Sequence, residues 1–215
     1  MRRLGGATAL CLGLGLVGLT GCQDIPSLQL DPLTTSGRDG NTPQLGYDAV
    51  MRIADASRAA GDFSNAVNLY RHAATMEPHK TEPLDAVGGT LLDMSRVDEA
   101  IVSYSAALKI NPRDGDALRG LARAYLRTGR PDLASDPLAL AFQDTPNDPK
   151  LLMLIGVADD FIGQHESAQT RYHEGLQIAP ADRSLALDLA LSLALSEKFD
   201  EAIAILKPLT LAPAA

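Results

Sequence analysis

Six side chains in this sequence belong to the types that most often do bond-making or metal chemistry near neutral pH: Cys11, Cys22, His72, His79, His165 and His173. A metal site needs several ligands that converge. His72 and His173 fall in segments read as second helices of a helical repeat, and His79 and His165 in turns. They are read as solvated surface imidazoles, and no metal or cofactor is expected. There is no G-x-S-x-G elbow, no H-E-x-x-H pair and no phosphate-cradling glycine loop followed by lysine. An enzyme is the weakest function class for this chain. The 27 acidic residues against 19 basic ones, a formal net charge of −8, also argue against nucleic acid as a partner, because phosphate contacts need clustered Lys and Arg.

The chemistry that remains is at Cys22. Arg2 and Arg3 precede an apolar, uncharged run from Leu4 to Leu19, and then come Thr20, Gly21 and Cys22. The run is short of the ~20 apolar residues of a spanning helix, and its layout is that of a secretory signal peptide over residues 1–21. "LTGC" resembles a bacterial lipobox. That resemblance implies diacylglycerol on the Cys22 thiol, cleavage after Gly21 and acylation of the new amino terminus, against the alternative of an ordinary core or disulfide cysteine. Cys11 follows the bulky Leu10 and does not fit the same role. Loss of Arg2 and Arg3 leaves 17 basic against 27 acidic residues, a net charge of −10. Gln23, by resemblance to lipoprotein sorting signals, points to the outer membrane and its periplasmic face.

These anchoring residues need something to carry. Residues 22–46 contain Pro26, Pro32 and Pro43 and hold no helical or strand period, so they read as a flexible tether. Beyond them Pro78, Pro112, Pro146 and Pro180 stand 34 residues apart (112 − 78 = 34), as do Ala66, Ala100, Ala134, Ala168 and Ala202. Tyr70, Tyr104, Leu138, Tyr172 and Leu206 keep the same spacing. A period of this length signals a repeat array. It resembles the tetratricopeptide repeat, a helix–turn–helix unit. The expectation is an all-α solenoid of about five repeats, 47–80, 81–114, 115–148, 149–182 and 183–215, sharing one stacked core. Small residues at the eighth place (Ala54, Gly88, Ala122, Gly156, Ala190) should let helices approach closely. Pro137 and Pro208 fall within second helices and should kink or delay them. Ser57 and Asp159 stand where a bulky apolar residue is usual, which makes repeats 1 and 4 less regular.

In tetratricopeptide proteins the first helices line a concave groove, with the second, fifth, ninth, twelfth and thirteenth places facing into it. Carried onto this chain, those places give Asp48, Asp55, Glu82, Asp85 and Asp93 in repeats 1 and 2, an acidic end. Repeat 3 gives Arg119, Arg123 and Arg127 on one helix face. Asp85, Asp93 or Asp160 could pair with these arginines across the groove, or the stripe could take an acidic partner. Repeats 4 and 5 give Met153, Val157, Phe161, Leu187, Leu191 and Leu195, an apolar end. "LALDLALSLAL", residues 185–195, is apolar almost all round, so its groove face calls for a cover: the C-terminal tail, a second copy or a partner segment. The lysine and asparagine of the chaperone-tail carboxylate clamp are absent, with Met51 and Asp55 in their places.

The close of the chain, "ALDLALSLALSEKFDEAIAILKPL" at residues 186–209, is similar to the end of the TadD-type lipoproteins of the tight-adherence (Flp) pilus assembly system. That resemblance implies a protein-binding scaffold at the outer membrane, pilotin-like toward a secretin. The alternative is a general periplasmic tetratricopeptide scaffold for envelope assembly.

Overall fold

The structure, a computed structural model, describes residues 45–211, with side chains through residue 209. Cys11, Cys22, the signal segment and the tether up to residue 44 lie outside the described residues.

Ten helices follow one another with no strand among the described residues: α1 Tyr47–Ala59, α2 Phe63–Met76, α3 Glu82–Asp93, α4 Val97–Ile110, α5 Gly115–Arg127, α6 Pro131–Asp144, α7 Pro149–Phe161, α8 His165–Ile178, α9 Arg183–Leu195 and α10 Phe199–Leu211. This is the all-α repeat solenoid that the 34-residue period predicts. With places numbered from the first residue of each repeat, every second helix begins at place 17. The boundaries have local causes. Asp62, Asp114, Asp148 and Asp182 accept hydrogen bonds from backbone N–H groups at the starts of α2, α5, α7 and α9. The prolines at place 32 lie two residues past the ends of α2, α4, α6 and α8, where the chain must stop being helical. Place 15, between the two helices of each repeat, has a left-handed backbone throughout: Gly61, Gly129 and Gly163 supply it freely, whereas Ser95 (φ 59°) and Glu197 (φ 62°) adopt it with a side chain.

Each helix packs on its sequence neighbours, and α3, α5, α7 and α9 also pack in series. The core is continuous along the array. Leu108 and Tyr125 join the cluster of repeats 1 to 3 to that of repeats 3 and 4, and Val157 joins the latter to repeats 4 and 5. The alanines at place 20 (Ala66, Ala100, Ala134, Ala168) have no exposed surface, and the place-8 residues are likewise buried. In repeats 2 and 4 the ring at place 24 explains why the place-8 glycine must be small, and Tyr104 presses also on Gly120 at place 6 of the next repeat. A Cβ added to Gly88 would lie 2.7 Å from the Tyr104 ring, one on Gly120 2.2 Å from the same ring, and one on Gly156 2.5 Å from that of Tyr172.

Neither internal proline delays or ends its helix, and the polar residues at place 11 have partners. α6 runs through Pro137 without a break and begins at the same place as the other second helices, and α10 runs through Pro208 to Leu211. The donor lost at Pro137 would have faced the carbonyl of Leu133, a residue only half-buried, while the Pro137 ring fills core space. The polar residues at place 11 are compensated as well. Asn65 donates to the Ser57 hydroxyl at 2.9 Å, and the Ser167 hydroxyl donates to Asp159 at 2.7 Å. Both bonds link places 11 and 19, tying the two helices of a repeat where an apolar contact would otherwise do so.

Gly120→Ala is expected to destabilise the array by about 1–3 kcal/mol, because the methyl group overlaps the buried Tyr104 ring. Urea unfolding checks this. Tyr104→Leu in the same chain should recover part of the loss, whereas a cost unrelated to the ring would simply add.

Candidate protein-binding groove

The serial packing of α3, α5, α7 and α9 puts places 5 and 9 of consecutive repeats side by side. Asp85, Gly89, Arg119, Arg123 and Met153 come from these columns and together line an open cavity of about 600 Å³, with Arg58, Lys150 and Tyr104 at its edges. The groove columns proposed from the repeat phase therefore meet here. The cavity mixes both signs of charge.

The arginine stripe is largely spent within the fold, with partners other than those expected. Arg119 pairs with Asp116, one turn earlier, and with Asp148 at 3.0 Å, the residue that caps α7. Arg127 donates to the carbonyl of Leu92 at 2.7 Å, a carbonyl at the end of α3 that also accepts from the Ser95 N–H. Arg123 is exposed and lies beside Tyr104. Burial pushes the Tyr104 hydroxyl up, and Arg123 holds it partly back. The expected cross-groove acids are engaged elsewhere or not at all. Asp93 binds Arg58 at 2.7 Å, and Asp160 receives three other groups.

Asp160 is the centre of a cluster that the sequence did not reveal. Its carboxylate accepts from the Tyr172 hydroxyl at 2.9 Å and the Ser192 hydroxyl at 2.7 Å, and His165 Nδ1 lies 2.7 Å away. His165 is therefore a structural partner and not a solvated imidazole; His72, His79 and His173 are exposed. Serine, histidine and aspartate meet here without the order a nucleophile requires. Ser192 points at the carboxylate and is fully buried, so no imidazole stands ready to take its proton. Among the described residues no group of His, Cys, Asp and Glu is arranged to hold a metal. A neighbour feels this burial: Asp188 is pushed up by desolvation and then by the charges of Asp160 and Asp182.

Asp85 is the unsatisfied group of the groove. Its Oδ1 is buried without a hydrogen-bond partner. Desolvation, and then the charges of Asp114, Asp116 and Glu82, raise its carboxyl to about 8. Such a carboxyl binds its proton more tightly folded than unfolded. Its contribution to stability is thus intact below the ordinary value of 3.8 and falls as pH climbs toward about 8. Asp85→Asn should flatten that decline and make the protein more stable than the parent at about pH 9, with little difference near pH 4. Urea midpoints at the two pH values measure this, and equal midpoint shifts at both would refute it.

The apolar end is as open as the phase implies. Phe161 is 53% exposed, Leu187 50%, Leu191 60% and Leu195 52%. The other side of α9, Leu185, Leu189 and Leu193, is buried. Met153 and Val157 are half-buried against the core and offer the groove only part of their surface.

A family model described as "Tetratricopeptide repeat" matches residues 91–157. The general transcriptional corepressor ssn6 of Schizosaccharomyces pombe is 25% identical over 138 residues, 63% of this chain and 12% of its own length. The chain thus spans about an eighth of that relative. Among solved structures, a thermophilic tetratricopeptide-repeat protein of Thermus thermophilus superposes with a TM-score of 0.68 at 22% identity, covering 78% of this chain and 92% of that one. MamA of Desulfovibrio magneticus RS-1 does so with a TM-score of 0.65 at 18% identity, covering 76% and 93%. Helix order, the 34-residue phase and these similarities agree that the described residues form a tetratricopeptide-repeat solenoid.

Proposed function

We propose that this chain is a protein-binding scaffold that receives a partner segment along its concave groove, with the main contact on α7 and α9. The observation that carries this reading is the open apolar stripe of Phe161, Leu187, Leu191 and Leu195 on the groove columns. Large apolar side chains at half exposure or more, gathered on one concave face, favour a helix or an extended segment laid into the groove. Burying ~400 Å² of such surface would contribute about 10 kcal/mol before association costs, which commonly leaves micromolar affinity.

A narrower reading rests on the sequence. The lipobox at Cys22 and the similarity of residues 186–209 to the pilus-assembly lipoproteins support a lipid-anchored scaffold at the periplasmic face of the outer membrane. Its role there would be pilotin-like toward a secretin in tight-adherence (Flp) pilus assembly. A general periplasmic scaffold for envelope assembly is the other reading. Secretin, pilus ATPase and prepilin genes next to this one would favour the first.

Leu191→Asp and Phe161→Asp should each abolish capture of the secretin, and pili should be lost, with helicity and membrane anchoring unchanged. Both positions are exposed, so the fold should tolerate the charge. Variants that still bind and still support pili would move the site elsewhere. Cys22→Ser should remove fatty-acid labelling and leave the protein unprocessed or mislocalised; label retained in that variant would end the lipoprotein reading.

A further inference from the structure

The two ends of the array expose surfaces that are mated everywhere inside it. At each internal junction a second helix packs on the first helix of the next repeat: α2 on α3, α4 on α5, α6 on α7 and α8 on α9. The receiving surface is places 3, 7 and 10. In α5 these are Ala117, Leu121 and Ala124, all buried, and in α9 Leu185, Leu189 and Ser192, all buried. In α1 the same places are Ala49, half-buried, Ile53, 41% exposed, and Ala56, exposed. Together with Ala60 they floor an open trough of about 510 Å³.

The donating surface shows the same contrast. Val97 and Ile101, at places 17 and 21 of repeat 2, are half-buried in the cluster that contains Ala117, Leu121 and Ala124. Their counterparts on α10 are Phe199, 58% exposed, and Ile203, 49% exposed. So, among the described residues, α10 is a second helix lacking a following first helix and α1 is a first helix lacking a preceding second helix. The α10 end carries bulky side chains, and the α1 end offers a trough whose alanine and isoleucine floor is bordered by Arg52, Ser57 and Asp62.

We infer that copies of this chain stack head to tail, with Phe199 and Ile203 of α10 seated in the Ala49–Ile53–Ala56 trough of the next copy. The occupant of each end is a second copy because the junction continues an interface that the chain already repeats internally. The contact is heterologous: it leaves one end free on every complex and extends rather than closing. It is also small compared with a standard interface of ~1,600 Å², so assembly is weak and depends on concentration. It leaves the groove columns on α7 and α9 uncovered and is independent of the function proposed above.

The test is sedimentation velocity across a concentration series. It uses the full chain carrying Cys22→Ser, so that acyl chains cannot drive association. Mean mass should rise with concentration beyond that of a dimer. Ile53→Glu and Phe199→Glu should each stay monomeric, with helicity checked by circular dichroism; Ala56→Arg is the second trough variant should Ile53→Glu fail to fold. An equimolar mixture of the Ile53→Glu and Phe199→Glu chains should form one-to-one dimers and nothing larger, since it supplies one intact trough and one intact α10. Three results would each overturn the inference: a parent chain that is monomeric throughout, meaning that residues before 45 or another protein cover the trough; an Ile53→Glu chain that still dimerises, meaning that two α10 ends pair; or a mixture that stays monomeric.

Discussion

The fit of one aromatic ring between facing helices sets the geometry of this molecule. Tyr104 lies so close to Gly88 and Gly120 that neither could carry a Cβ without displacing the ring, and Tyr172 stands in the same relation to Gly156. The Tyr104 ring, on α4, thus governs how near α3 and α5 can come. Because α3 and α5 are held against the same side chain, their outer faces form one surface, and places 5 and 9 fall into columns. The groove is a consequence of that packing and needs no residues dedicated to building it.

The tyrosine hydroxyls then decide the polarity of the surface. Tyr70 donates to Asp55 at 2.6 Å and Tyr172 to Asp160 at 2.9 Å. In repeats 4 and 5 the Asp160 cluster ties Ser192 and His165 to one carboxylate, and the groove columns of α9 carry leucine at places 5, 9 and 13. In repeats 2 and 3 the reverse holds. Asp85, Arg119 and Arg123 remain at the cavity, and the buried, unpaired oxygen of Asp85 makes that region electrostatically costly at high pH. A groove with one ionic half and one apolar half suits a partner segment that is itself amphipathic along its length.

Much of this was legible in the sequence because a repeat writes each contact several times. Recurring prolines, alanines and tyrosines gave the period, and the small residues at place 8 marked the close approach before its aromatic partner was known. Gly61, Gly129 and Gly163 carried the turn signal in the same phase, but Ser95 and Glu197 obscured it by taking the left-handed backbone with other side chains. What stayed hidden were contacts made once. Asp160 sits at a groove place, and only the stacking of α9 on α7 and α8 shows that Ser192 reaches it from the next repeat. Pairing across the groove was one of two readings open for Arg119, and it pairs instead with acids one turn away and at the α7 cap. Pro137 departs from the propensity rule at a site where its ring is buried in the core and the carbonyl it leaves without an intrahelical donor belongs to the half-buried Leu133.

If shared rings hold the repeats together, the array should open as one unit. Native-state hydrogen exchange across the ten helices tests that most directly. The account predicts one common protection free energy for the amides of α2 to α9, with lower values only at α1 and α10, whose outer faces are unmated. A stepwise profile in which repeats 1 and 2 exchange independently of repeats 4 and 5 would contradict it.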